Sequence, residues 1–532
     1  MNRRPVALTF SIYLLPGIWF LCFLIPSWNA IWSAEIRNID RELLALNVVQ
    51  AADLNLFSGA YSRFGFRHPG PLYFYYLALM EWMLAWLPSW DGRLRLATLL
   101  FNFAFLVLTL HLARKILGLR QEALWGFVAI ALVVHVPSLF LFANYWNPWV
   151  IPLPFMAGLI CMVAIVRGHW QYLPLLVGCF SLCAQSHISA LLVSVLLGIL
   201  AVLWGWRFRS HNPKWPLYIL TSSALALVLW LPVLADLFLF PEFGNTGRIV
   251  HFFLLEERSG FSVRKLAFAL SYLVVPIKEL LSPELRSIAA SIILILPILG
   301  WRLLSSPLRD LALITLVGLV IVIFSAQRIE GPLVAYLLSP AYALAASIWF
   351  LNFLVLHRLC ERLIPSGQAV AMVMMLLASL GALLLRLPKE HPDRSFADIA
   401  TIRHFVDNSP GSSHTLLRIR FPSRKYTPFV ASFILESMRR GHAVCINREW
   451  AYLFGDGIEC SYMQRRYGPY EQVIDWRTAA PGDSSLEGSS DGSFQEGRFA
   501  AVWSRQTVQT PERLAGADRE KDSRTDGPAP VS

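Results

Sequence analysis

Long apolar runs separated by short polar segments fill the first 386 residues of the chain. A helix needs about 20 apolar residues to cross a bilayer, so runs of that length predict transmembrane helices. Small groups of Lys and Arg between the runs indicate which helix ends are cytoplasmic. Together they predict about eleven spans, beginning with an uncleaved first span and leaving the C-terminus outside. The predicted spans are approximately 6–26, 93–113, 122–142, 149–166, 171–186, 189–206, 216–235, 287–303, 308–326, 332–356 and 369–386.

Two shorter helices are predicted in the first extracytoplasmic loop, 27–92. Residues 36–53 follow the pattern of an amphipathic helix, with Asp40 and Asn47 off its apolar face. The run 71–88 is short for a span, and the span that follows it must end inside. This run should therefore begin and end outside. We expect 71–88 to be a juxtamembrane or re-entrant helix, and 36–53 to be a juxtamembrane helix of the same loop.

The composition becomes polar after the last span. Residues 387–467 predict a small extracytoplasmic α/β domain, and residues 468–532 are rich in Gly, Ser, Asp and Arg and predict a mostly disordered tail. The predicted strand, helix and strand of the domain are SHTLLRIRF, TPFVASFILESMRRG and HAVCIN. Cys445 and Cys460 could form a disulfide in an exported domain, although two cysteines alone do not establish one.

Composition supports a membrane protein and excludes a nucleic-acid surface. Of the 532 residues, 56% are hydrophobic and only 15% are charged, which is too apolar for a soluble globular protein. The net charge is +11, but the basic residues lie in small groups at span ends. We interpret them as determinants of orientation, since no basic stripe with interleaved aromatic residues is present.

The polar clusters with mixed chemistry all fall on the extracytoplasmic side of the predicted topology. They are 40–68, 144–147, 185–187, 245–248 and 328–330. The cytoplasmic loops are short and basic. Ionisable groups held at a bilayer face by flanking spans indicate a functional site, so we expect an outward-facing reaction centre.

Asp40 is the candidate general base, because a carboxylate can accept a proton from a hydroxyl nucleophile. Glu42 does not share its helical face, since residues two apart diverge by about 200°. Asp40 could instead form a salt bridge with Arg37 or Arg41, or stand at a helix start.

Arg63, Arg67 and His68 suit a phosphate group, because guanidinium groups stay charged and present several donors. The same residues could contact phospholipid headgroups without catalysis. The other candidates for substrate binding are Glu42, Asn147, Gln185, His187, Asn245 and Arg328. His187 could equally be a packed, hydrogen-bonded histidine.

No metal motif is present. Asp40, Glu42, His68 and Glu330 could hold a divalent ion, but their spacing does not argue for one. The sequence therefore predicts no required cofactor and leaves a divalent metal possible.

At several short motifs the chain resembles the GT-C superfamily of integral-membrane glycosyltransferases, which includes protein mannosyltransferases and aminoarabinose transferases. The motifs are IDRELLAL, SRFGFRHPGPLYFYYL, NYWNPW, AQSH and the Gly244-Asn245 pair. SRFGFRHPGP is the most specific of them. With the other motifs, it resembles the sequences of a bacterial branch of the superfamily. The resemblance covers about residues 6–360.

The resemblance implies a bacterial inner-membrane enzyme that transfers a sugar, with inversion, from a polyprenyl-phosphate donor to an acceptor hydroxyl on the outer face. The acceptor would be a lipid, a glycan or a protein. Asp40 would be the base, and Arg63, Arg67 and His68 would lie near the leaving phosphate. Many members carry a second acid in the second outer loop, where this chain has 144–148 without a carboxylate. Asn147 would be its hydrogen-bonding substitute.

Two other classes remain as alternatives. A transporter or flippase of a lipid-linked substrate would need charged residues at span midplanes and often shows inverted repeats. The sequence has neither feature. A non-catalytic membrane scaffold that carries the C-terminal domain would use the polar clusters only for structure.

Overall fold

The computed structural model of the chain describes residues 39–119, 144–240, 244–255, 260–363 and 427–467, the strand segments 416–421, 472–478, 493–496 and 499–505, and isolated positions elsewhere. The chain divides into two compact units. The helical unit comprises Met1–Ile36 and Gln50–Asp393, and the sheet unit comprises Arg37–Val49 and Arg394–Ser532. The predicted domain boundary at 386/387 falls outside the described residues and stays a prediction.

The first twelve described helices run from the first polar loop to the end of the helical unit. They are α1 (Ile39–Ala52), α2 (Leu72–Met83), α3 (Trp90–Ile116), α4 (Pro152–Val166), α5 (Leu173–Ser186), α6 (Ile188–Trp206), α7 (Trp215–Leu239), α8 (Asn245–Val250), α9 (Val263–Ser271), α10 (Pro283–Leu299), α11 (Ser306–Gln327) and α12 (Pro340–Leu363). Only the last residues of α1 belong to the helical unit, because the sheet unit extends to Val49.

Six helices in the described part of the chain are long and apolar enough to cross a membrane. They are α3, α6, α7, α11, α12 and a helix that joins a short 3₁₀ turn to α4. All six coincide with predicted spans, and the chain is a polytopic helical membrane protein. The predicted spans 6–26, 122–142 and 369–386 lie largely outside the described residues, so the number of eleven stays a prediction.

The predicted spans 171–186 and 287–303 are present as shorter helices. They correspond to α5, with 14 residues, and α10, with 17 residues. The predicted helices 36–53 and 71–88 are present as α1 and α2. The first polar loop therefore contains two helices, as expected.

α4 is the central helix of the helical unit. Every side chain from Pro152 to Val166 is buried, and the helix contacts α3, α5, α6, α11 and α12. Its sequence PLPFMAGLICMVAIV contains no polar side chain, which is typical of a helix enclosed on all sides. In contrast, only 6% of the apolar window of α7 is buried. We infer that α7 faces lipid along most of its length.

The sheet unit contains a five-stranded sheet in the order β2-β1-β3-β5-β4. Its strands are β1 (Leu416–Arg420), β2 (Ala443–Ile446), β3 (Gln472–Thr478), β4 (Ser493–Glu496) and β5 (Phe499–Arg505), and its helices after β1 are α13 (Thr427–Arg439), α14 (Ala451–Phe454) and α15 (Cys460–Tyr467). β1 pairs in parallel with β2 and β3, whereas β5 pairs antiparallel with β3 and β4. The strand, helix and strand predicted from sequence are thus present as β1, α13 and β2.

Part of the C-terminal region differs from its prediction. β3, β4 and β5 lie within the segment 468–532, which was predicted to be mostly disordered. Local composition gave no sign of these strands because their backbone groups are satisfied by pairing with one another and with β1. A disulfide joins Cys445 and Cys460, and so it links β2 to α15.

Candidate active site

A short hairpin, Gly59–His68, forms the centre of the candidate site in the helical unit. The Gly59 N–H donates to the His68 carbonyl (2.8 Å), and the His68 N–H donates to the Ala60 carbonyl (2.7 Å). The turn passes through Gly65, whose φ of 79° lies in the left-handed region that glycine adopts without strain. This explains the glycine in SRFGF. The hairpin carries Arg63, Arg67 and His68.

Asn245 fixes the end of this hairpin. The Arg67 N–H donates to its Oδ1 (2.6 Å), and its Nδ2 donates to the carbonyls of Arg67 (2.9 Å) and His68 (3.3 Å). One side chain thus forms hydrogen bonds with three backbone groups at the end of the hairpin. Asn245, predicted as a substrate-binding candidate, acts here as a positioning residue.

Asp236 in turn holds the start of α8, which carries Asn245. Its Oδ2 accepts hydrogen bonds from the Thr246 N–H (3.1 Å) and the Thr246 hydroxyl (3.2 Å). The sequence analysis missed Asp236. The available signal was a carboxylate near the end of an otherwise apolar span, because such residues are rare without a function.

Replacing Asn245 by Ala is expected to lower the free energy of unfolding by about 1–3 kcal/mol. The reason is that the Arg67 N–H and the carbonyls of Arg67 and His68 each lose a buried hydrogen bond to this side chain. Asn245→Asp keeps the acceptor but places a buried carboxylate oxygen against the two carbonyls, so it should cost at least as much. Thermal unfolding of the purified variants measures the effect. Equal stability of Asn245→Ala and the wild type would show that the hairpin does not depend on this residue.

The two arginines of the hairpin have different surroundings. Arg67 is 0% exposed, and its Nε donates to the Ser58 hydroxyl (2.9 Å). In this conformation its guanidinium is enclosed by protein. Arg63 is exposed and donates to the carbonyls of Glu330 (2.9 Å) and Pro332 (2.8 Å).

Arg328 lies in the segment that Arg63 contacts. It is exposed, and its guanidinium stands over the Phe324 ring, 5.7 Å from the centroid. Glu330, two residues further on, pairs with Lys265 (3.6 Å). The hairpin therefore contacts the segment after α11 through Arg63, and Lys265 pairs with the one carboxylate of that segment.

Gln185 connects the hairpin to α2. Its backbone carbonyl accepts the Gly70 N–H (3.1 Å), and its Oε1 accepts the Leu72 N–H at the start of α2 (3.3 Å). A Cβ at Gly70 would clash with the buried Gln185 side chain, which favours glycine at this close approach. The glycine of HPGP is thus explained by packing. Gln185, predicted to bind substrate, is fully buried and satisfies these backbone groups.

His68 and His187 face each other at the start of α6. Their ring centroids are 4.2 Å apart, and both side chains are buried. Burial lowers the pKa of His187 to about 3. Burial, with smaller effects from His187 and Arg67, holds the pKa of His68 well below its usual value. Both imidazoles are therefore neutral at physiological pH.

Asn147 lies close to the same helix junction. Its Nδ2 donates to the Ser186 carbonyl (2.5 Å), and its Oδ1 is buried with no acceptor role among the described residues. Neighbouring Trp146 packs on Tyr336, at 4.7 Å between centroids, and Tyr336 lies edge-on to His187 at 6.2 Å. The NYWNPW motif thus borders the histidine pair.

Asp91 also supports this motif and was missed by the sequence analysis. It accepts hydrogen bonds from Arg95 (2.6 Å) and from the Tyr145 hydroxyl (2.7 Å), and its side chain is fully buried. Ser89 caps the same turn of α3 by accepting the Gly92 N–H (2.9 Å). The sequence showed Asp91 only as an isolated charge near a span end.

The two candidate acids lie in the sheet unit. Asp40 is half-buried in the first turn of α1. Glu42 is 7% exposed and its Oε1 accepts the Ser432 hydroxyl (2.7 Å). Asn47, which the helical pattern placed off the apolar face, is also buried. The predicted amphipathic surface is therefore wrong for this part of α1, because the helix is built into the sheet unit and enclosed on more than one side.

Glu42→Gln is expected to stabilise the sheet unit by about 1–3 kcal/mol at pH 8. Burial raises the pKa of the Glu42 carboxyl to about 7, compared with an ordinary value of about 4.3. At a pH between these two pKa values, the Glu42 carboxyl holds a proton in the folded state and has released it in the unfolded state. Stability is therefore lost as the pH rises, and the full loss is present above about pH 7. Gln keeps a group that can accept from Ser432 and carries no charge.

Thermal unfolding of wild type and Glu42→Gln between pH 5 and pH 8.5 measures this effect. The difference should be small at pH 5 and largest at pH 8. A constant difference across the range would show that Glu42 does not change its protonation there.

The structure thus brings together six of the ten predicted site residues. They are Arg67, His68, Asn147, Gln185, His187 and Asn245. Arg63 and Arg328 flank them at the 327–333 segment, and Asp40 and Glu42 belong to the other unit. In the described part of the chain, no three His, Cys, Asp or Glu side chains come close enough together to hold a metal ion.

The fold of the chain is similar to that of a solved structure of ArnT. A crystal structure of ArnT from Cupriavidus metallidurans bound to undecaprenyl phosphate matches with a TM-score of 0.50 and 13% identity, covering 94% of this chain and 97% of that chain. The apo structure of the same protein matches with a TM-score of 0.48 and 13% identity, covering 92% and 97%. Protein-family models and curated proteins gave no match. The likeness to the first of these structures extends over most of both chains, and it is a likeness of fold.

Proposed function

We propose that this protein transfers a sugar from a polyprenyl-phosphate donor to an acceptor hydroxyl. The observation that carries the proposal is the buried polar site around the Gly59–His68 hairpin, in a fold shared with an ArnT structure that is bound to undecaprenyl phosphate. The acceptor is a lipid, a glycan or a protein. The reaction takes place at the extracytoplasmic face of the bacterial inner membrane, where the positive-inside rule puts the polar loops and the C-terminus.

The proposed reaction is a single displacement. The acceptor oxygen forms a bond to the anomeric carbon, while the bond between that carbon and the phosphate oxygen breaks. The hydroxyl proton passes to Asp40, and polyprenyl phosphate leaves as an anion. One displacement inverts the anomeric configuration. Asp40 needs to come within about 3 Å of the acceptor hydroxyl to take the proton.

The leaving phosphate requires donors that stabilise its developing charge. Arg63 is the guanidinium of the hairpin that reaches the surface, and its charge is permanent. His68 supplies an imidazole at the end of the same hairpin. Arg67 supports the hairpin from within through Ser58. We therefore assign phosphate recognition to Arg63 and His68, and a positioning role to Arg67.

Membranes from cells with and without the protein, supplied with a panel of polyprenyl-phosphate sugars, test the donor class. We expect polyprenyl phosphate to be released from at least one donor only when the protein is present. A divalent-metal chelator added in parallel tests whether a metal is needed. Absence of release from every donor would reject the donor class.

A further inference from the structure

The histidine pair is locked in one hydrogen-bonding arrangement by the first turn of α6. The Ile188 N–H donates to Nδ1 of His68 (3.3 Å), and the Ser189 N–H donates to Nδ1 of His187 (3.3 Å). The Ser189 hydroxyl also contacts Nδ1 of His187 (2.8 Å). The first turn of a helix has N–H groups without helical partners, and here two of them are satisfied by imidazoles.

This arrangement fixes the tautomer of each ring. A neutral imidazole has one acceptor nitrogen and one N–H, and Nδ1 is the acceptor in both residues. Nε2 therefore carries the hydrogen in both. Neither Nε2 has a lone pair for a metal ion or for a proton. A proton added at Nδ1 would break the hydrogen bond that the backbone N–H already makes there. On His68 the new positive charge would also be disfavoured by Arg67 and by the neighbouring ring.

Both Nε2–H groups are available to a ligand. No described residue accepts a hydrogen bond from either of them, although His68 is 6% exposed and His187 only 2%. Each ring is almost fully buried, so solvent has little access to these N–H groups. Two N–H donors without an acceptor in the described part of the chain, on rings whose centroids lie 4.2 Å apart, therefore point to a bound group that is an acceptor.

We propose that the Nε2–H groups of His68 and His187 together bind one phosphate group through its oxygens, as a neutral pair of donors. The source of the phosphate, a polyprenyl phosphate, rests on the proposed function. His187 thereby becomes a phosphate-binding residue, and the role of His68 becomes that of a neutral donor. Neither residue acts as an acid or a base.

The chemistry of the pair favours phosphate over a sugar hydroxyl. The two rings offer donors only, which suits an oxygen that has lone pairs and no proton to give away. The adjacent helix N-terminus carries partial positive charge, and Arg67 lies next to His68 in the chain; both favour an anion. A hydroxyl would gain less, because its own proton would need an acceptor.

The test replaces each histidine by Asn in the full chain. Asn retains an acceptor near the position of Nδ1, and it is a favourable residue at the start of a helix. It lacks the outer N–H. His111→Asn is the matched control, because it makes the same change at an exposed histidine of α3. Binding of undecaprenyl phosphate, inorganic phosphate and undecaprenol to the protein in lipid nanodiscs is then measured.

We expect His68→Asn and His187→Asn to bind undecaprenyl phosphate about tenfold more weakly or worse than the wild type, because each loses a hydrogen bond to a charged group. His111→Asn should stay within about twofold. Undecaprenol should bind all four proteins equally. In the wild type, ¹⁵N NMR of labelled histidine should show Nδ1 unprotonated, and the two Nε2–H resonances should shift when phosphate binds. A purely structural role would not produce that shift.

Two outcomes would overturn the inference. One is wild-type affinity for phosphate in both Asn variants when they are folded, which would leave the proposed donor class standing. The other is a protonated Nδ1 on either ring in the bound state. If the wild type binds inorganic phosphate through the pair but not undecaprenyl phosphate, the donor pair is supported and the polyprenyl donor is rejected. If it binds neither, both fail.

Discussion

Asp40→Asn is expected to lower the rate of sugar transfer by about 10²–10⁴-fold. Asn has nearly the same shape as Asp but cannot accept the hydroxyl proton, and positioned general bases contribute about this much. The loss should appear in kcat, because donor binding does not depend on the base. Transfer is measured at matched protein abundance with the donor that the wild type uses.

Asp53→Asn is the control for this substitution. Asp53 is an exposed carboxylate that follows α1 in the same loop, so its replacement makes the same change in charge. We expect it to transfer at the wild-type rate. Normal transfer by Asp40→Asn would reject the assignment of the base, and an equal loss in both variants would indicate a general effect of charge in the loop.

Asp91→Ala is expected to lower the free energy of unfolding by about 3–5 kcal/mol. Its carboxylate is fully buried between Arg95 and Tyr145, and removing one partner of a buried ion pair leaves the other charge uncompensated. The Tyr145 hydroxyl also loses its acceptor. Because Tyr145 belongs to NYWNPW, the segment beside the histidine pair should lose its fixed position. Thermal unfolding in nanodiscs, followed by tryptophan fluorescence, measures the change.

A triple variant separates the loss of the carboxylate from the loss of packing. Asp91→Leu, Arg95→Met and Tyr145→Phe together remove the charges and the hydroxyl and keep most of the apolar volume. Replacement of a whole buried network by apolar groups is often neutral or stabilising. We expect the triple variant to be more stable than Asp91→Ala. If Asp91→Ala unfolds like the wild type, the network does not contribute to the fold.

Hydropathy and the placement of Lys and Arg were sufficient to predict the described spans. α3 ends at Arg114 and Lys115, and α7 begins after Lys214, so the apolar runs had clear limits. Asn147, Gln185 and Asn245 were found for a related reason. Polar residues between apolar runs stand out in sequence, and the chain folds so that these separate segments meet around one hairpin.

Other features depended on partners far away in the sequence. Glu42 is enclosed by Ser432, and Asp91 is paired with Tyr145. Spacing along a helix cannot reveal such partners, so α1 was predicted to have an exposed face and Asp91 was not singled out. Two backbone N–H groups at the start of α6 determine which ring nitrogen is the acceptor in His68 and His187. A residue pattern does not show this.

The measurement that tests the proposed function most directly uses the purified protein in nanodiscs with a donor labelled in its sugar and an acceptor preparation. We expect labelled product and free polyprenyl phosphate to form in equal amounts, and both to disappear in Asp40→Asn. A lipid-linked sugar that remains intact in the presence of active wild-type protein and acceptor, for every donor supplied, would contradict a glycosyltransferase and favour a transporter or a scaffold.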